Sequence, residues 1–580
     1  MEKLRKELFV ISGLSILFSL LNVGLSLVAI ISFLFSLGFS ALFAFFVFKT
    51  KRVEKTASKI QVLRKFLEYL PFVLLAQFIL RRATPSNIPF AFDLFLVLLW
   101  AGIFFFSLFI IFCLHPKRIA KKFSGIGTIK EPSKPKGKLQ WFAMEILSWL
   151  DAFFQAALLV SLVHIFVFQF YEIPSESMVR EFLVGDRVLV FKTASGPTFP
   201  LSKVAIPRMR GYKRGDIVTF RNPHYIKDEA SETKNFVSQL VFMLTFTMVN
   251  LNVDDDGNIK YDPLVKRICG EPGEQLMMVD GQLYARRSGN DKFIPVEEKW
   301  AHWNLNDLDG ETKQKIRLIP FDSETYSMLE AAEEERRNFD LKAAATEAID
   351  LAEKFSDTKM KIRAVMKNAP KDVPYFAGGN YSVRKLFSSY DEITRDLLMS
   401  PMDDQWFEKF LCGWIGDGDF DFGDDLYSEA LFKYNVMAKI YFGKLALKSA
   451  EFVLDGKSIT QLSDDEDYRK ILSGVQNLDV AINLLDGRSM PIFPANENGK
   501  STYIPENRFF MMGDNRFNSL DMRHSYSQKT IPLTDLDEQS IVFLSKVSPQ
   551  LVEAKHILGG TVFRFWPPSR IGIPGVGYKK

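Results

Sequence analysis

The stretch WFAMEILSWLDAFFQAALLVSLVHIFVF (141–168), followed directly by QFYEIPSESM (169–178), decides how the chain is read. A bilayer core about 30 Å thick takes about 20 helical residues to cross. Residues 141–168 exceed that length, and their only formal charges are Glu145 and Asp151, both in the first half. The segment therefore reads as a membrane span. Fewer than ten residues past its end stands Ile173-Pro174-Ser175-Glu176-Ser177-Met178. Pro174 fixes its own φ and biases Ile173 toward extended geometry. A hydroxyl residue then flanks Glu176 on each side. Alone, such a pattern is most often a turn or a helix cap; its interest lies in its position at the membrane exit.

Upstream the chain is equally apolar. Residues 7–48 carry only Glu7 as a charge, too long a run for one ordinary span and enough for a hairpin of two, with the turn at Asn22–Gly24 or at Ser36–Gly38. A cleaved signal peptide would be much shorter. A basic segment follows at 49–65. Phe66–Leu80 is a third, short stretch containing Glu68, and Phe90–Leu114 a fourth. A second basic segment begins at His115 and ends in EPSKPKGK (131–138). Positive charge near span ends prefers the cytoplasm. Five spans put the N-terminus and both basic segments inside and everything after Tyr171 outside; only the Arg81–Arg82 pair runs against that rule. Buried core helices are the alternative for some stretches.

The 580 residues as a whole hold 47% hydrophobic and 24% charged types, with Lys+Arg 73 against Asp+Glu 69. That excludes a chain disordered throughout, and a net charge of +4 gives no argument for nucleic acid. Three cysteines show neither a disulfide framework nor metal-ligand spacing. The average conceals a membrane part joined to a water-soluble part.

In the soluble part, Gly185-Asp186 and Gly215-Asp216 each open a turn followed by a strand, 187–192 and 217–220. Pro263–Gly270 reads as another strand, ending in the turn Glu271-Pro272-Gly273. Alternate residues share a face, so Lys266 lies with Leu264 and Ile268, and Arg267 lies opposite with Val265. A lysine between aliphatic neighbours loses hydration, which disfavours its charged form. A neutral amine can accept a serine hydroxyl proton, a Ser–Lys pair needing no histidine. A lysine snorkelling from a strand edge is the plain alternative. Phe509–Met512 is an apolar strand running into Gly513-Asp514-Asn515-Arg516. Beyond it, Ser519 could orient an amine, and Asp521 and Arg523, two apart in an extended stretch, could pair; a polar turn with one salt bridge is the alternative.

These blocks resemble type I signal peptidases of the bacterial Ser–Lys form, over about 171–192, 212–223, 263–284, 506–526 and the tail from Gly559 to Gly572. The resemblance implies that Ser177 is the acyl-forming nucleophile and Lys266 the general base. Ser175 would contribute to the oxyanion site with the Ser177 N–H; Ser519 would orient the Lys266 amine; Asp521 and Arg523 would support the site. Met178, Leu264 and Val265 would line the pocket for small side chains, with Phe182 near it, bulkier than the family's leucine. After the nucleophile, Met178-Val179-Arg180-Glu181-Phe182 departs from the family's Met-x-Pro-Thr-Leu, and Phe517 stands where an acidic residue is common. The implied substrates are signal-peptide-bearing precursors, whose scissile bond lies just beyond an apolar anchor and so at the height of Ser177. The implied setting is a multi-pass protein of the bacterial inner membrane, its N-terminus cytoplasmic and its catalytic domain outside, with the lipid bilayer and the export machinery as candidate partners. No metal or organic cofactor is implied. A catalytically silent, membrane-anchored binding or scaffolding relative is the alternative from another class; a polytopic transporter is disfavoured because intramembrane charges are few and near span ends.

The expected fold class is thus α+β: membrane helices over 1–170, then an antiparallel β-rich catalytic domain in two parts, 171–290 and 501–580, separated by a mainly helical insertion at 291–500. Ser327-Met-Leu-Glu330 predicts the start of a helix through Lys354, and Ser463-Asp-Asp-Glu466 another ending near Gly487. The insertion's role is open between guiding substrate or partner and structural elaboration. A second insertion, 225–262, holds the apolar run 236–251, either a membrane-dipping element or a buried strand hairpin. Asp417–Gly423 departs from a calcium loop, with Ser428 where glutamate is needed, and Asp254–Asn258 reads as a turn. The six histidines are scattered; His524 alone lies beside a catalytic-like block.

Overall fold

The computed structural model describes residues 2–49, 57–83, 88–115, 118, 138–224, 229–245, 248–249, 251, 262–301, 304–319, 321–366, 381–400, 404–457 and 459–575. The turn expected at Asp254–Asn258 lies outside these residues, as do parts of both basic segments.

Five helices stand where five spans are expected: α1 (Glu2–Leu21), α2 (Leu27–Lys49), α3 (Ala57–Arg82), α4 (Phe90–Cys113) and α5 (Lys138–Phe166). By length and composition three are apolar enough to cross a membrane: Leu27–Lys49, Phe90–Cys113 and Gln140–Phe166. The hairpin turns at Asn22–Ser26, while Ser36 and Gly38 lie inside α2. Helices α1–α4 share one apolar core, with a polar seam in which Ser19 and Ser36 hydroxyls lie 2.8 Å apart and the Gln77 amide donates to the Ser19 and Asn22 carbonyls. On α5, Trp149 and Phe153 stay exposed, at 72% and 65%. Exposed apolar faces of this size on a helix fit lipid as the solvent.

The charge at Arg82 is accounted for. Its guanidinium pairs with Asp93 at the start of α4, and Asp93 also accepts from Ser202 in the soluble part. Phe199 packs on Phe78, Trp100 and Phe166. The α1–α2 turn and the C-terminal ends of α3 and α5 therefore meet one another beneath the soluble part.

That part is built on a seven-stranded antiparallel sheet in the order β1-β2-β13-β3-β4-β9-β12. The strands are β1 (Phe168–Glu172), β2 (Arg187–Phe191), β3 (Ile217–Phe220), β4 (Leu264–Gly270), β9 (Arg508–Met512), β12 (Val552–Glu553) and β13 (Ile557–Trp566). A second sheet orders β7 (Ile294–Pro295), β6 (Gln282–Arg287), β5 (Glu274–Val279) and β8 (Met490–Phe493). Ile268, Leu276, Met278 and Met511 pack between the two. Strands β10 (His524–Pro532) and β11 (Val542–Val547) form a hairpin.

The insertion is helical, as expected, with long helices α7 (Ser323–Arg337), α8 (Leu341–Val365), α9 (Leu426–Leu454) and α10 (Glu466–Asn483). Its starts differ from expectation. Asp322, not Ser327, caps α7, and Asp340 opens a second helix where one run was expected. Asp465, two residues past Ser463, caps α10. A carboxylate accepts the free N–H groups well and complements the positive helix end, so Asp wins over a nearby Ser. The insertion's apolar core is continuous with Val279 of β5 and with Ile541 and Phe543 at the hairpin. The second insertion contains a helix, α6 (Glu229–Leu244), not a strand hairpin.

Candidate active site

Ser177 sits in a single 3-10 turn, Glu176–Met178, immediately after the extended residues 173–175. The turn is held from behind: Asn515 N–H donates to the Ser177 carbonyl and the Asn515 side-chain amide to the Glu176 carbonyl, each at 3.1 Å. Strand β4, central in the large sheet and paired Val218 to Lys266, carries the lysine across from the turn. Lys266 Nζ lies 2.5 Å from Ser177 Oγ. The Ser175 hydroxyl donates to Ser177 Oγ at 3.3 Å.

Both groups are buried, Lys266 at 3% exposure and Ser177 at 7%. Burial pushes the Lys266 amine down to about 8, against the upward pull of the more distant Asp521 and Asp514 carboxylates. A substantial fraction is thus neutral near pH 8, which a lysine base requires.

Asp521 and Arg523 form a bidentate pair at 2.9 and 3.0 Å, both fully buried. Burial alone would raise the Asp521 carboxyl; Arg523, His524 and the Gly513 N–H together hold it well below the usual carboxylate range. Asp521 accepts the Gly513 N–H at 2.9 Å. Gly513 is required there, because a Cβ would collide with Ser519 Oγ and the Ser177 carbonyl. Ser519 is thereby brought against the Ser177 turn, but its buried hydroxyl has no hydrogen-bond partner among the described residues; the expected bond to the Lys266 amine is not formed. His524 is occupied elsewhere, its ring nitrogen 3.0 Å from the Asp486 carbonyl oxygen.

A cleft of about 590 Å³ opens on the pair, lined by Met178, Leu264 and Val265 among others. Phe182 does not line it. It is fully buried behind the wall, packed with Val188 and Ile217. One face of the cleft is formed by Asn235, Ser238, Gln239 and Phe242 of the 229–244 helix.

Sequence reasoning passed over two features. Arg267, on the opposite face of β4, makes a buried bidentate pair with Asp514 at 2.8 and 2.6 Å, bracing the strand against the 513–519 loop. Its alternation with Lys266 was the available signal. Glu176 and Arg317 meet across 141 positions, for which the sequence offered none.

A hydroxyl in contact with a buried amine on an antiparallel sheet is the arrangement a serine peptidase with a lysine base would need. Comparison with known proteins narrows it. Residues 146–331 match the family described as signal peptidase, peptidase S26. Similar proteins include Signal peptidase I of Buchnera aphidicola subsp. Baizongia pistaciae, 27% identical over 30% of this chain and 49% of that protein. Signal peptidase I of Haemophilus influenzae is 26% identical over 39% of this chain and 62% of that protein. A third, from Buchnera aphidicola subsp. Schizaphis graminum, is 35% identical over a 74-residue segment covering 13% of this chain and 24% of that protein. The matched regions thus span about half to three fifths of the first two. Through this core the chain is related to the type I signal peptidases.

Proposed function

We propose that the chain is a membrane-bound serine endopeptidase that removes N-terminal signal peptides from exported precursors. The observation that carries this is the 2.5 Å contact between Lys266 Nζ and Ser177 Oγ inside an apolar wall. Neutral Lys266 takes the Ser177 proton as Oγ attacks the scissile carbonyl carbon. The developing oxyanion is held by the Ser175 hydroxyl and the Ser177 N–H, each donor being worth on the order of 3 kcal/mol. The Lys266 ammonium then protonates the departing amine, leaving an ester on Ser177. Lys266 next deprotonates a water that attacks the ester, and the proton returns to Ser177 Oγ. Met178, Leu264 and Val265 form the apolar lining for small side chains before the bond, with Phe182 shaping that wall from behind. To Ser519 we assign the orienting of the amine once substrate is bound, through a bond not made in this structure, while Asp521 and Arg523 fix the loop bearing Ser519.

The orientation belongs to the same reading. With all five helices taken as spans, both basic segments would lie on the cytoplasmic side of a bacterial inner membrane and the β-domain outside. The soluble part comprises 171–290 and 501–580 with 291–500 inserted. The site then stands at the bilayer surface, where a precursor presents the bond next to its own membrane anchor.

The test is cleavage of a signal-bearing precursor by the full chain purified in detergent. Parent protein should cut at one site; Ser177→Ala and Lys266→Ala should each lose a factor on the order of 10³ or more in kcat/KM, with circular dichroism unchanged. Undiminished cleavage by Lys266→Ala sinks the mechanism. Absence of cleavage by the parent favours the silent relative.

A further inference from the structure

The insertion reaches the nucleophile. In its first segment, 304–319, Leu305, Leu308 and Ile316 pack on Val179 and Leu183, the residues that follow the Ser177 turn. The segment includes a helical turn at Gly310–Gln314 whose cap, Asp309, accepts the Thr312 N–H at 2.9 Å. At its far end the backbone N–H groups of Arg317 and Leu318 both donate to the buried Glu176 carboxylate. A carboxylate removed from water needs such donors, which explains an acid between two serines. It also fixes the position of Arg317 relative to Ser177, whose neighbour it holds.

Arg317 is an exposed residue that lines the same cleft as Ser177 and Lys266. Among the described residues it has no carboxylate partner. The other charged groups lining the cleft are engaged: Glu172 faces Arg187 at 3.4 Å, Asp262 accepts the Asn222 N–H at 2.8 Å, and Lys266 holds Ser177. Arg317 is thus the charged residue of the cleft left with no carboxylate among the described residues, on the wall that also bears Ser177.

We propose that Arg317 is an anion-recognising subsite that selects substrates carrying an Asp or Glu side chain close to the scissile bond. This deepens the endopeptidase reading and rests on it. A planar guanidinium matches a carboxylate in a two-pronged geometry, and peptide lying in the cleft would shield the pair from water. The chemistry differs from the apolar lining at Met178, Leu264 and Val265, so the two would read different positions of one substrate.

The test uses the full chain with a set of matched peptides bearing Asp, Asn or Lys at each position flanking the cleaved bond. The readout is the ratio of kcat/KM values within each variant, so a partial folding loss cancels. The parent should prefer Asp over Asn by about threefold to tenfold at one position, the range of an exposed to partly shielded charge pair. Arg317→Gln should erase that preference, Arg317→Glu should turn it toward Lys, and Arg317→Lys should retain part of it. Equal ratios in parent and Arg317→Gln overturn the proposal. So does a variant that loses only its binding to anionic phospholipid vesicles. Ser177→Ala protein, titrated with the same peptides by fluorescence anisotropy, reports the Asp-over-Asn ratio without any cleavage. A parent that cuts nothing therefore defeats the endopeptidase reading while the binding ratio still decides the subsite.

Discussion

Two lysines lie equally deep in this protein and face opposite company. Lys266, on a strand of the β-domain, is 3% exposed and touches a hydroxyl. Lys439, in the helical insertion, is fully buried; its Nζ sits 2.6 Å from Asp537 Oδ2 and 2.8 Å from the Phe410 carbonyl oxygen. Asp537 is in turn held by the Asn435 amide at 2.8 Å. Burial lowers both amines. At Lys439 a carboxylate in direct contact opposes that effect, whereas at Lys266 the nearest carboxylates act from a distance through Asp521 and Asp514. The same residue, buried in both places, meets an acid in one and only a hydroxyl in the other, which suits the first to a structural cation and the second to the base proposed above.

The comparison is open to attack by removing each amine while keeping its bulk. Lys439→Met leaves Asp537 buried with an unmatched charge, which costs about 3–5 kcal/mol. Hydrogen exchange of α9 in the full chain should show opening made easier by that amount, with precursor cleavage little changed at low temperature. Adding Asp537→Leu should return most of the loss. A Lys439→Met protein as stable as the parent would show that the pair is not the structural element described here.

Lys266→Met should behave in the opposite way. The folded state holds this amine near 8 instead of 10.5, and each pH unit is worth about 1.4 kcal/mol. Below pH 8 the folded and unfolded amines are both charged, and folding bears a penalty of roughly 3 kcal/mol. Between pH 8 and 10.5 the unfolded chain binds more protons than the folded one, so stability contributed by this site rises with pH and the penalty disappears. Lys266→Met should therefore stabilise the inactive protein at pH 7, and the gain should vanish by about pH 10.5. In the parent, kcat/KM should climb with unit slope and level off near pH 8, because the base must be neutral. A profile flat from pH 6 to 9 contradicts the assignment of Lys266 as base.

How much of this the sequence carried follows from the range of each interaction. The N-terminal apolar helices, the strand holding Lys266 and the Asp521–Arg523 pair are local patterns of length, alternation and two-residue spacing, and as helices, strand and ion pair they stand where those patterns put them. The Asp322 and Asp465 caps show the limit of local reading, since several oxygen-bearing side chains near a helix start compete and tertiary packing selects among them. The run at 236–251 had too little periodicity to separate helix from strand. Phe182 is beside the cleft in sequence and behind its wall in space. The pairs Arg267–Asp514 and Glu176–Arg317 join segments 247 and 141 positions apart, and no single-sequence pattern encodes such meetings.

The smallest expected effect separates working groups from supporting ones most cleanly. Ser519 Oγ is buried with no partner, and an unmade hydrogen bond of this kind costs about 1–3 kcal/mol. A structural serine would lose stability on truncation, because its bond would be lost. Ser519→Ala should instead leave stability unchanged or slightly raised, since a desolvated hydroxyl is removed. Its kcat should nevertheless fall about fivefold to tenfold with KM unaltered, as expected when the amine beside it is less well oriented during proton transfer. Gly513 admits no side chain against this hydroxyl, so the small methyl of alanine is accommodated without repacking. If Ser519→Ala lowers stability and activity together, Ser519 belongs with Lys439 among the groups that hold the fold, and the orienting role assigned to it is withdrawn.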